Sequence, residues 1–155
     1  MAPLVLIGVG EVNPGHALRG LATTLGAGSR ELLLCHVVDN GARGEMGMAH
    51  GFGPHRALGG HRARAVLDAE REAAAGILEE AAREAPGAAR IVEEGEPGRV
   101  LCRLARERGV TLVVVGARNG LGPDPPHPHS VGSTARFVLD HAPCPILLVR
   151  AAGPA

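Results

Sequence analysis

The 155-residue sequence predicts an α/β domain, an open parallel sheet with helices on both faces. Three observations carry this. Five short apolar runs recur, at residues 4–9, 32–38, 90–93, 111–115 and 146–149. Segments of helical period fill the gaps between them. The runs are rich in Val, Leu and Ile without polar alternation, which is how a strand reads when both its faces are covered.

The first run, LVLIGV, leads to Asn13-Pro14, an N-cap residue followed by a proline, and predicts a helix start there. Ala17, Leu18, Leu21, Ala22 and Leu25 then form an apolar stripe that Gly26 stops. The second run, LLLCHVV, enters a Gly- and His-rich stretch, residues 39–60, that reads as a long loop. The longest helix is expected over residues 61–84, where Val66, Leu67, Ala73, Ala74, Ile77, Leu78 and Ala81 recur at helical spacing against Arg and Glu. Pro86-Gly87 ends it, and the more polar RIVE that follows predicts a strand at the sheet edge. Pro97 opens a third helix with Val100, Leu101, Leu104 and Ala105 inward and Gly109 as its stop. After TLVVV comes a second long loop, residues 117–130, with prolines at 123, 125, 126 and 128. A last helix over residues 132–141 is expected to bury Ala135, Val138 and Leu139, and ILLV closes the sheet. Neither loop reads as a linker, so residues 1–155 are expected to form a single domain.

Composition removes several functions. Sixteen basic residues balance sixteen acidic ones, so there is no basic surplus for nucleic acid or an acidic membrane. The sequence contains no Lys, which excludes a Walker A lysine and Schiff-base chemistry. Tyr and Trp are absent and Phe occurs only at Phe52 and Phe137, too few for base stacking on single strands. Cys35, Cys102 and Cys144 fit no zinc spacing and sit in apolar stretches, as reduced buried thiols do. The first residues carry no positive segment before a short apolar run, so a cytoplasmic protein is expected.

The segment VVVGARNGLGPDPPHPHSVGSTARFVLDHAPCPILLVR holds the chemistry. A strand ends in Gly116, a loop follows, and Gly132-Ser133-Thr134 opens a helix. Unpaired amides at a helix start, a glycine that permits close approach and two hydroxyls suit a phosphate, to which Arg118 adds a charge. Ser and Thr at a helix start are equally read as plain capping residues.

The same segment, VVVGARN…VGSTARFVLDHAPCPILLVR, resembles the C-terminal half of universal stress protein domains. LLLCHVVD, LVLIGVG followed by HAL, and EEGEPGRVLCRLARERGVTLVVVG resemble other parts of that family, so the resemblance covers nearly the whole chain. It implies a Rossmann-like fold with strand order 3-2-1-4-5, and a stress-response regulatory module of either an ATP-binding or a non-binding subclass. It also implies a homodimer, here through the apolar last strand, which as an unpaired edge favours strand pairing. Carried over, the phosphate contacts fall on Gly116, Asn119, Gly132, Ser133 and Thr134, and the adenine and ribose contacts near Ile7, Val9, Val37 and Val115.

This sequence departs from the family pattern. Val9 stands where an Asp serves the nucleoside, with Glu11 nearby, and Asn119 replaces the second glycine of G-x-x-G. The spacer to Gly132 is longer and proline-rich, removing donor N–H groups. A ribose hydroxyl left unpaired in a closed pocket forfeits about 1–3 kcal/mol. Two readings stay open: a module binding ATP or another adenine nucleotide, with or without Mg²⁺, and one that binds none and acts by protein contact. A third is a metal-responsive binder using His50, His55, His61, His127 and His129, although no spacing matches a ligand set. His36 is expected to be a hydrogen-bonded structural residue. No enzyme is expected. G-x-S-x-G and G-x-G-x-x-G are absent, and ATP hydrolysis would need a metal-binding carboxylate for which only Asp124 stands in the loop.

Overall fold

The computed structural model describes residues 1–39, 60–117 and 131–150. Strands and helices alternate through them: β1 (Leu4–Gly8), α1 (His16–Leu25), β2 (Glu31–Asp39), α2 (Gly60–Ala82), β3 (Ala89–Gly95), α3 (Pro97–Glu107), β4 (Leu112–Gly116), α4 (Ser133–His141) and β5 (Ile146–Val149). The strands form one parallel sheet, as their pattern predicts, in the order β3-β2-β1-β4-β5 that the resemblance implies.

Successive strand residues point to opposite faces, and here both faces are covered. Val5, Ile7, Leu34 and Val114 pack with Ala17, Leu18 and Leu21 of α1 and Leu78 and Ala81 of α2. Leu6, Leu33, Cys35, Val113 and Val115 pack with Val100, Leu101 and Leu104 of α3 and Ala135 and Val138 of α4. The polar third strand lies at an edge, and its adjacent glutamates serve both layers. Glu93 reaches Arg103 of α3 at 3.1 Å, and Glu94 reaches Arg71 of α2 at 2.7 Å. Charges of this kind on an edge strand discourage pairing with other chains.

The structure corrects several boundaries and burial expectations. β1 ends at Gly8, although the Val9 N–H still bonds the Cys35 carbonyl at 2.8 Å. α1 is capped at Gly15, not at Asn13. Asn13 has φ 53°, its carbonyl accepts from the His16 N–H at 2.9 Å, and its side chain is held by Arg19. It shapes a turn before the helix instead of capping it. Ala22, Leu25, Val66, Leu67, Ala73 and Leu139, all expected on apolar stripes, are exposed. Leu67 keeps the phase of Leu78 but precedes Ala74, the first buried residue of α2 among those described. Among the described residues no helix is long and apolar enough to cross a membrane.

Gly20 shows why a glycine sits inside α1. A Cβ there would lie 2.3 Å and 2.5 Å from the two methyls of Val149 and 3.0 Å from its Cβ. The helix rests directly on β5. Alanine favours a helix over glycine by about 1 kcal/mol, but overpacking of this kind costs about 1–3 kcal/mol. We expect Gly20→Ala to lower stability in urea denaturation, and Val149→Ala to relieve part of the loss in the double variant. Additive losses would show that the two positions do not touch.

Candidate functional site

Strand order breaks between β1 and β4, and in open parallel sheets the crevice beyond the strand ends at such a break is where ligands bind. The chain places two exposed glycines there, Gly10 just past β1 and Gly116 at the end of β4. Each presents backbone without a side chain in front of it.

α3 and α4 both begin at this end of the sheet, and their first turns differ. Glu96 caps α3 with its own carboxylate, accepting from the amides of Gly98 at 3.1 Å and Arg99 at 2.9 Å. Pro97 removes a further donor, so that helix start is internally satisfied. The signal was the Glu-Pro pair, whose capping role goes beyond the proline alone. α4 has Gly132 at its cap with φ 87° and no side-chain cap. The Gly132 carbonyl accepts the first helical bond, from Arg136 N–H at 3.1 Å. The amides of Ser133 and Thr134 therefore stand in a first turn without intrahelical acceptors, where the helix dipole favours an anion. Ser133 is exposed and Thr134 half-buried, so their side chains lie at the surface of the crevice and not in the core.

The apolar residues assigned to the nucleoside do not converge. Ile7 is 0% exposed and Val9 5%, both packed in the α1/α2 layer. Val115, 3% exposed, and the half-buried Val37 belong to the opposite layer. What these four share is height in the sheet, at its carboxyl end. Val9 is further committed through its backbone, because its carbonyl accepts a hydrogen bond from Nδ1 of the buried His36 at 2.7 Å. A carbonyl only accepts, so Nδ1 carries the hydrogen. His36 thus ties β2 to the turn after β1. Glu11 is exposed two residues on. Asn119, Arg118, Asp124, His50, His55, His127 and His129 lie outside the described residues, as does the His61 side chain.

His16 is a residue that the sequence reading missed. It opens α1 beside Gly116, where an added Cβ would meet its ring Cδ2 at 3.6 Å. Its Nε2 is buried with no hydrogen-bond partner among the described residues. The available signal was a histidine directly before the apolar Ala17-Leu18 pair at the head of the first helix.

Burial favours the protonated form of all three thiols. Burial, reinforced by the Glu93 carboxylate and partly offset by Arg103, pushes Cys35 up to about 12. Burial also raises Cys102 and Cys144. No cluster of three or more metal-ligating side chains occurs among the described residues.

The family model described as the Universal stress protein family matches residues 1–150. No match was found among curated proteins. Solved structures that the chain resembles include a universal stress protein UspA from Lactobacillus plantarum, 23% identical, with TM-score 0.58 and coverage of 96% of this chain and 97% of that one. A universal stress protein family protein from Arabidopsis thaliana with AMP bound is 15% identical, with TM-score 0.62, covering 97% and 92%. A universal stress protein from Archaeoglobus fulgidus in complex with dAMP is 17% identical, with TM-score 0.57, covering 96% and 98%. At these identities the structural likenesses speak for the fold.

Proposed function

The chain belongs to the universal stress protein family, and on that premise we propose that it is a stress-response regulatory module that binds an adenine nucleotide without turning it over. The observation that carries this reading is the first turn of α4. Gly132 caps it without a side chain, and the amides and hydroxyls of Ser133 and Thr134 stand at the break in strand order, while α3 beside it is capped by its own Glu96. AMP in the Arabidopsis structure and dAMP in the Archaeoglobus one support the choice of ligand class. Nothing in the described crevice pairs a nucleophile with a base, which is why the reading stops at binding. Pairing of β5 across a two-fold axis is part of the same reading, since Ile146, Leu147 and Leu148 are only half-buried on that edge.

Isothermal titration with AMP, ADP and ATP, each with and without Mg²⁺, tests it. We expect a heat of binding saturating at one nucleotide per chain. Absence of heat for all three, together with no nucleotide released on denaturing the purified protein, would remove the reading.

A second reading, a module that binds no nucleotide and works through protein contact, is favoured by one observation. Val9 offers the ribose neither a carboxylate nor a free carbonyl, because its side chain is packed and its oxygen is taken by His36.

A further inference from the structure

We propose that His16 is a polar contact and affinity determinant for the nucleotide at the β1/β4 break, its Nε2 hydrogen-bonding the bound ligand; this rests on the nucleotide-binding reading above. Polar atoms sealed inside proteins are almost always paired, and an orphan one at a cleft asks for a partner. Nε2 of His16 is such an atom. Its position is equally specific. The ring lies against Gly116, the exposed last residue of β4, and it begins the helix that follows β1, so it stands at the junction of the two strands that flank the break.

Among the described residues no hydrogen-bond partner meets Nε2. Arg19, one turn along α1, is engaged elsewhere, bridging Glu84 at 2.8 Å and holding Asn13. The imidazole as a whole is only half-buried, so the ring reaches the surface at this corner beside Gly116. A neutral imidazole with hydrogen on Nε2 donates to a phosphate or ribose oxygen. With the hydrogen on Nδ1 it accepts from a ribose hydroxyl.

The test uses the full chain and AMP, with three proteins compared by titration calorimetry: wild type, His16→Leu and His16→Gln. Leucine keeps the volume and removes the nitrogen. Glutamine restores a polar atom near the place of Nε2. We expect His16→Leu to weaken AMP at least tenfold and His16→Gln to recover part of that loss. Thermal unfolding without ligand supplies the folding control. Because His16→Leu removes an unpaired buried nitrogen, its melting temperature is expected to equal or exceed that of wild type. AMP binding that is equal in wild type and His16→Leu overturns the inference and leaves the nucleotide reading intact. Wild type that fails to bind AMP, ADP and ATP overturns both. Loss of affinity accompanied by a lowered melting temperature in both variants assigns His16 a packing role and also overturns the inference.

Discussion

Stability is expected to fall between pH 9 and pH 12, by about 1.4 kcal/mol per pH unit from the buried Cys35 thiol, and Cys35→Ala is expected to flatten much of that slope. The sign follows from proton counting. Burial and the nearby Glu93 carboxylate lift the Cys35 thiol from the ordinary 9.0 to about 12. Above pH 9 the unfolded chain releases that proton while the folded chain keeps it, so the unfolded state binds fewer protons and gains as pH rises. The stabilisation is complete below about pH 9 and shrinks until the folded thiol itself ionises. Over that window the loss from Cys35 alone reaches about 4 kcal/mol, a large part of the 5–15 kcal/mol typical of a domain.

In most proteins this effect would be hidden under lysine and tyrosine titration. Here the sequence has neither, and arginine holds its proton beyond the window. Between pH 9 and 12 the side chains that titrate are thus thiols, with Cys102 and Cys144 adding to the slope in the same direction. Urea midpoints at pH 8, 9, 10 and 11 for wild type and Cys35→Ala measure it. The variant shifts the intercept through a small packing loss, so the slope is the quantity to compare. A wild-type profile flat to pH 11 would show that Cys35 meets water in the folded state.

The parts of the fold that were legible in the sequence are those fixed by local pattern. TLVVV and LLLCHVV read as doubly covered strands because β4 and β2 are packed by helices on both faces. RIVEE read as an edge because Glu93 and Glu94 each need an arginine from a different layer. The start of α4 was legible as a helix start because glycine followed by two hydroxyl residues has a local meaning. What stayed hidden depends on residues distant in sequence. The Val9 carbonyl is engaged by His36, twenty-seven residues away. His16 becomes notable only because Gly116 stands next to it and nothing among the described residues pairs its Nε2. Asn13, next to a proline and of the right type for a cap, was drawn instead into a turn by Arg19, which Glu84 anchors from the far end of the α2 connection.

The two leucines of α2 make the same point quantitatively. Leu67 and Leu78 are eleven residues apart, three helical turns and about 20° of rotation, so they share one face of the helix and no periodicity argument separates them. The structure does. Leu78 is 2% exposed, packed among Ile7, Leu34 and Ala81, while Leu67 is 38% exposed on a stretch of helix whose first buried residue is Ala74. Truncating Leu78 removes its burial and opens a cavity between helix and sheet that neighbouring strands cannot collapse to fill. We expect Leu78→Ala to cost about 2–5 kcal/mol. Leu67→Ala removes the same atoms from a site already in contact with water, leaves no cavity, and gains the helix preference of alanine. It is expected to change stability by no more than about 0.5 kcal/mol. Paired urea titrations of the two variants decide it. Equal losses would mean that the start of α2 is covered in solution and that its apolar stripe serves a contact along its whole length. Unequal losses locate the end of the core between residues 67 and 78, where Ala74 is the first buried residue among those described.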